Sequence, residues 1–364
     1  MSDKTKIEWS DATWNPVTGC TKISPGCDHC YAEGIARRFA GGKAFPNGFD
    51  VTLQPKRLDQ PLRWREPRRI FVNSMSDLFH EDVPDEYIAQ VWTVMAKTPQ
   101  HTYQILTKRH ARMRSVVRRI AWRLPTTEGR SQGVRGSVAY VQNSELLNEH
   151  LGAPEVLPNV WLGVSVENQQ WAETRIPALL ETPAAVRFIS AEPLLGPVNL
   201  RRLQVRGRVI DCLGGDVVDP SDGAVLYGTP SVLDWVIVGG ESGPGARPMH
   251  PDWARGLRNQ CQGYAAFHFK QHGEWEPLGP LYGDVSDDEE ADDARMEAVG
   301  LEVVEGKQVI QLERDGYIAE GHQPADSRTW LMAKVGKKRA GRELDGRTWD
   351  QFPDTKPQEV ALHG

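Results

Sequence analysis

The sequence predicts an α/β fold, an incomplete TIM-like barrel of parallel strands with loop insertions. Three observations lead there. Six short apolar runs recur along the chain, helix-like segments separate them, and most of the runs end on a polar residue or a glycine. The runs lie at 69–75, 103–107, 160–166, 185–190, 234–240 and 266–270. Several are apolar almost throughout, as strands buried on both faces of a parallel sheet are. Helix-like segments lie near 84–97, 108–122, 168–181 and 251–263, the first opened by Pro84 followed by Asp85 and Glu86. Strand–helix alternation of this kind produces a parallel sheet or an α/β barrel.

Taken in order, the strand ends carry Ser74 and Asp77, Thr107 and Lys108, Ser165 and Glu167, Ser190 and Glu192, and Gly239, Gly240 and Glu241. Each alone is an ordinary turn or cap. Together they line one mouth, because α/β barrels place their chemistry at the carboxyl ends of their strands. Residues 125–158 and 200–232 read as insertions. The acidic run between Asp284 and Asp293 reads as a solvated linker. The expected organisation is a partial barrel over 1–275, an acidic linker with a small insertion over 276–325, and a basic segment over 326–364.

With 364 residues, 39% hydrophobic and 25% charged, the composition is that of an ordinary globular protein. Nothing approaches the roughly 20 consecutive apolar residues of a membrane span. Residues 1–6 lack the apolar stretch of a signal peptide, so a cytoplasmic protein without a membrane partner is expected. A net charge of −6 provides no global attraction for polyanions. Local basic patches do exist. Residues 108–123 hold Lys108, Arg109, Arg112, Arg114, Arg118, Arg119 and Arg123. Residues 56–69 interleave Lys56, Arg57, Arg63, Arg65, Arg68 and Arg69 with Trp64, and a third patch runs from Lys334 to Arg347. Such patches suit a solvated face or a nucleic-acid partner (DNA or tRNA) equally well.

Among the five cysteines, Cys20, Cys27 and Cys30 fall within one short segment, spaced Cys-x6-Cys-x2-Cys. In a cytoplasmic chain such crowding points to metal binding rather than disulfides. Cys212 and Cys261 read as small buried residues. Zinc would need a fourth ligand, and His29, between two of the cysteines, is poorly placed to provide it. A 4Fe–4S cluster held by three thiolates leaves one iron open, which suits binding of S-adenosylmethionine. Gly239-Gly240-Glu241-Ser242-Gly243 follows a strand but lacks the order of a phosphate loop. It reads as a glycine-rich strand end that lets backbone approach an adenosyl group, with Glu241 as a ribose acceptor.

The cysteine loop resembles that of radical S-adenosylmethionine enzymes, with a spacing three residues longer than their commonest one. More closely, the chain resembles a phage-encoded family with a three-cysteine motif. The likeness is carried by Trp14-Asn15-Pro16-Val17-Thr18-Gly19-Cys20, Cys27-Asp28-His29-Cys30-Tyr31-Ala32, Ser74-Met75-Ser76-Asp77-Leu78-Phe79, Leu106-Thr107-Lys108-Arg109, Gly163-Val164-Ser165-Val166-Glu167, Ser190-Ala191-Glu192-Pro193-Leu194, Gly239-Gly240-Glu241-Ser242-Gly243 and the basic box 337–347. A more distant likeness is to spore photoproduct lyase, through Thr107-Lys108-Arg109 and Val164-Ser165-Val166. That resemblance implies cofactor contacts for Lys108 and Ser165. The lyase's hydrogen-donating cysteine has no counterpart in Val72-Asn73-Ser74-Met75-Ser76, so dimer splitting by its route is not implied.

The resemblance thus implies a radical enzyme that makes a 5′-deoxyadenosyl radical and modifies or repairs nucleic acid, in the host cytoplasm if phage-encoded. An electron donor such as flavodoxin or ferredoxin would serve it. The expected metal ligands are Cys20, Cys27 and Cys30. The expected cofactor contacts are Lys108, Ser165, Glu192, Gly239, Gly240 and Glu241, and the expected catalytic residues are Ser74 and Asp77. Two further readings stay open: a zinc-containing, non-catalytic nucleic-acid-binding phage protein, and a radical enzyme acting on a small nucleotide or a peptide.

Overall fold

A computed structural model describes residues 5, 7–119, 156–229, 231–281, 307–316, 318–319 and 329–354. Most of the expected 125–158 insertion, Arg123 and the acidic run 284–293 lie outside them. The main sheet has eight strands: β1 (Ala12–Trp14), β2 (Arg69–Val72), β3 (Thr102–Thr107), β4 (Val160–Ser165), β5 (Val186–Ala191), β6 (Trp235–Gly239), β7 (Ala266–Gln271) and β8 (Trp349–Asp350). They follow one another across the sheet in chain order. The first seven pair in parallel, and β8 closes the far edge antiparallel to β7. The result is a mixed α/β fold whose mostly parallel sheet curls into a half-barrel.

Helices make most of the crossovers, as parallel pairing requires. After β1 comes α1 (Tyr31–Arg38); α2 (Asp85–Ala96) joins β2 to β3, and α3 (His110–Arg119) follows β3. Then α4 (Gln169–Leu180) joins β4 to β5, and α5 (Pro251–Cys261) joins β6 to β7. The expected segments are all present. In place of a helix between β5 and β6 stands a four-stranded antiparallel sheet built from Leu203–Val205, Arg208–Ile210, Asp216–Val218 and Val225–Gly228. A second four-stranded sheet (Trp275–Leu281, Val309–Leu312, Ile318–Ala319, Thr329–Lys334) and the short α6 (Lys337–Ala340) precede β8.

Alternation along the strands sorts side chains between two cores. Ile70, Val72, Ile105, Leu162, Val164, Ile189, Val236 and Phe269 join the helix residues Ile88, Val116, Ile176 and Leu257 on the outer face. Their neighbours Phe71, Trp161, Phe188, Trp235 and Ile237 form a second, largely aromatic cluster with Trp9 on the inner face. Trp235 is its hub, with ring centroids 5.9 Å from Trp161, 6.0 Å from Trp9 and 5.1 Å from Phe352. Full burial of each such ring stabilises by about 1.5–3 kcal/mol. This aromatic floor fills the lower part of the half-barrel and leaves the rim at the strands' carboxyl ends for polar groups.

Candidate functional site

The cysteine loop leaves β1 and crosses the rim. Gly19 has φ +85°, and a Cβ there would collide with the Asp50 carbonyl, so glycine is required just before Cys20. A 3₁₀ turn, Pro25–Cys27, follows, with Cys27 N–H donating to the Ser24 carbonyl at 2.9 Å. Cys30 is the N-cap of α1. All three thiols are free and half-buried. Cys20 Sγ accepts from Arg109 Nη1 at 3.6 Å. Burial, reinforced by the Asp77 charge, pushes the Cys20 thiol up to about 11, with Arg109 opposing. The Tyr31 hydroxyl donates to the Ser74 carbonyl at 2.6 Å, and its pKa is raised by burial and then by the nearby Cys30 and Glu192 charges. Over half the Tyr31 surface is exposed even so.

Beneath the loop, the strand ends carry carboxylates matched with cations from neighbouring elements. Asp77 Oδ1 accepts from Thr107 Oγ1 at 2.7 Å, Oδ2 accepts from Lys108 N at 3.0 Å, and Arg109 lies 3.7 Å away. Glu167 pairs with Arg175 at 2.8 Å, both fully buried, and Arg175 Nη1 also donates to the Ser165 carbonyl. Glu192 accepts from Lys270 Nζ at 2.8 Å and 3.0 Å and from Gln271 Nε2 at 2.9 Å. Glu241 accepts from Arg247 at 2.6 Å and 2.9 Å and shares a 3.0 Å hydrogen bond with His29 Nδ1. Burial acts to raise the Glu241 pKa, but Arg247 and His29 outweigh it and hold the carboxyl below its ordinary value.

The expected residues fall as follows. Lys108 Nζ donates to Ser165 Oγ at 3.2 Å, so the structure joins this pair. Glu192 sits against Gly239, where a Cβ would come within 3.2 Å of its carboxyl carbon. Ser74 Oγ lies 3.2 Å from both amide atoms of Asn15. Asp77 is engaged by the backbone and side chains around it, and both Glu241 oxygens are bound by Arg247. Gly240 packs against the His272 carbonyl, leaving no room for a side chain. The reading from sequence did not select Arg109, Arg175, Arg247, Lys270 or Gln271. Lys270, at the end of its apolar run, and Arg109, just after the strand end at Thr107, carried a positional signal.

Among the described residues, no group of three or more His, Cys, Asp or Glu side chains could hold a metal ion. A single zinc gathers thiolates within about 2.3 Å of one point. A cubane carries its irons on separate corners, so its thiolates stand farther apart. Three soft donors on one loop fit the chemistry of a three-cysteine cluster; they do not form a closed single-ion cage. A cleft of about 1100 Å³ opens at the opposite end of the sheet, beside Val186, Asp234, Ala266 and Phe352. No cysteine and none of the expected residues lines that cleft, so the rim is the better candidate.

One family model, described as a protein of unknown function (DUF5131), matches residues 4–353. The chain belongs to the DUF5131 family. No curated protein and no solved structure matches it. Among the described residues of this DUF5131 chain, no helix is long and apolar enough to cross a membrane. The arginines of its basic helix α3 share two carboxylates, Asp85 and Glu181, and Arg109 just before the helix has two of its own. Arg112 and Arg119 pair with Asp85, Arg114 with Glu181, and Arg109 with Asp77 and Glu81. In the second patch Trp64 is buried, which removes it as a stacking surface.

Proposed function

We propose that the protein is a radical S-adenosylmethionine enzyme on a TIM-like partial barrel, with Cys20, Cys27 and Cys30 as ligands of a 4Fe–4S cluster. The observation that carries the reading is the three-thiol loop crossing the carboxyl-end rim of a curled parallel sheet, where α/β barrels keep their reacting groups. Bound there by the three thiolates, such a cluster would supply the electron that breaks a carbon–sulfur bond of S-adenosylmethionine, giving methionine and a 5′-deoxyadenosyl radical. The chain's own residues bind and orient. Lys108 and Ser165 form a linked pair of donors for a carboxylate or hydroxyl of the cofactor. Glu192, steadied by Lys270 and Gln271, offers acceptor oxygens against Gly239. Ser74 and Asp77 hold the opposite side of the rim. The aromatic floor excludes water from below.

In the same proposal the substrate is nucleic acid, modified or repaired, and a flavodoxin or ferredoxin supplies electrons. The basic side chains of Lys56, Arg65, Lys337 and Lys338 are exposed. The test is the iron, sulfide and zinc content of protein purified without oxygen. About four irons and four sulfides per chain, bleached by dithionite, are expected. Reduced protein then forms 5′-deoxyadenosine from S-adenosylmethionine, faster when its nucleic-acid substrate is added. Cys27→Ala abolishes both cluster and cleavage. One zinc in a colourless protein overturns the proposal.

A further inference from the structure

The cysteine loop is fastened to the sheet on both sides of Cys27. Upstream, Ser24 Oγ donates to Glu167 Oε1 at 2.8 Å while Arg175 Nη1 holds the other oxygen at 2.8 Å. Gly26 lies flat on that carboxylate, and any Cβ there would strike Oε1. Arg247 bridges loop and sheet on both sides of Cys27. Its Nη2 donates to the Pro25 carbonyl at 2.8 Å and to Glu241 Oε1 at 2.6 Å, and its Nη1 donates to Asp28 at 3.1 Å. His29 Nδ1 adds the 3.0 Å hydrogen bond to Glu241 Oε2.

Both carboxylates are buried, Glu167 completely and Glu241 to within 6%. Burying charged pairs gains little stability over apolar packing, so their return lies in directional hold. Hydrogen bonds to charged groups supply that hold, because they are strong and narrow in geometry. What they hold is a loop without regular structure of its own apart from one 3₁₀ turn.

We propose that Glu167 and Glu241 are positioning residues that preset the cysteine loop over the rim before any metal arrives. The proposal rests on the reading of this loop as the ligand loop. It goes beyond that reading by assigning the buried Glu167–Arg175 and Glu241–Arg247 pairs to loop placement, and it moves Glu241 from ribose contact to loop clamp.

The test uses full-length, reduced, metal-free protein and follows alkylation of each cysteine by iodoacetamide, resolved by mass spectrometry. Ser24→Ala and Arg247→Met each remove one clamp from the loop side, and Glu167→Gln and Glu241→Gln from the sheet side. Loop thiols, Cys27 above all, should alkylate about tenfold faster in each, the weight of one charge-assisted hydrogen bond. Buried Cys212 and Cys261 report on the fold and should stay slow. Should Glu167→Gln loosen the whole fold by stranding Arg175, Ser24→Ala decides the matter. Unchanged loop reactivity in Ser24→Ala and Arg247→Met overturns the proposal, as does equal acceleration at Cys212 and Cys261 in those two variants. A wild type that binds no iron, with the loop still loosened in the variants, overturns the cluster reading and leaves the clamps standing.

Discussion

Gly163 and Phe188 compete for one volume. They are register partners on β4 and β5, and a Cβ on Gly163 would lie 2.5 Å from Phe188 Cε2. Gly163→Ala therefore pushes the ring into the Trp9–Trp235 cluster. Overpacking of this kind costs about 1–3 kcal/mol. Equilibrium urea unfolding should show the midpoint drop at constant slope, and an unmoved midpoint would show that the ring yields freely. Residue by residue, the sequence exposed polar strand ends because each closes an apolar run. It did not expose their partners. Lys270 lies 78 positions from Glu192, and Arg247 reaches the cysteine loop across 219 positions to Asp28. No local spacing rule spans such distances.

At the scale of elements, α4 carries Arg175 to Glu167, and its first turn depends on Asn168. The Asn168 side chain is the N-cap and accepts from Trp171 N at 3.2 Å. Asn168→Ala should cost about 1 kcal/mol while Asn168→Ser keeps most of the stability. Thermal unfolding of the two variants checks this, and equal melting temperatures would deny the cap its role. The long elements were legible because periodicity builds over many residues: β3 was expected at 103–107 and spans Thr102–Thr107. The shortest were not. β1 has three residues and β8 two, too few for a period to show. The insertion at 200–232 hides a hairpin whose turn, Arg206-Gly207, adopts φ +49° and +76°. Left-handed pairs of this kind fit the twist of two-residue hairpins, but Arg-Gly is a weaker turn signal than Asn-Gly.

For the whole molecule, the aromatic floor sets a pH limit. His268 is buried between Trp235 and Phe352, and burial pushes its pKa down to about 4. Above pH 6.5 the ring is neutral in both folded and unfolded chains. Between 6.5 and about 4 only the unfolded chain takes the proton, so stability falls with pH, by about 3 kcal/mol from this group, and levels off below. His101 and His272, also lowered by burial, act in the same direction. Unfolding free energies measured from pH 7 to 4 should decline, and His268→Phe should flatten the slope by up to one proton; an unchanged slope would refute the assignment. Taken alone, the sequence determined the alternation of strands and helices, the polar rim at the strand ends and the placing of three thiols on one loop. Those are properties of neighbours along the chain, written in periodicity and spacing. Only the tertiary structure decided that Trp9 and Phe352 close the inner face, that the arginines of α3 share the carboxylates of Asp85 and Glu181, and that two buried carboxylates fasten the cysteine loop. Each depends on groups far apart in the chain, whose meeting is set by how the sheet curls and which side chains then come within hydrogen-bond reach.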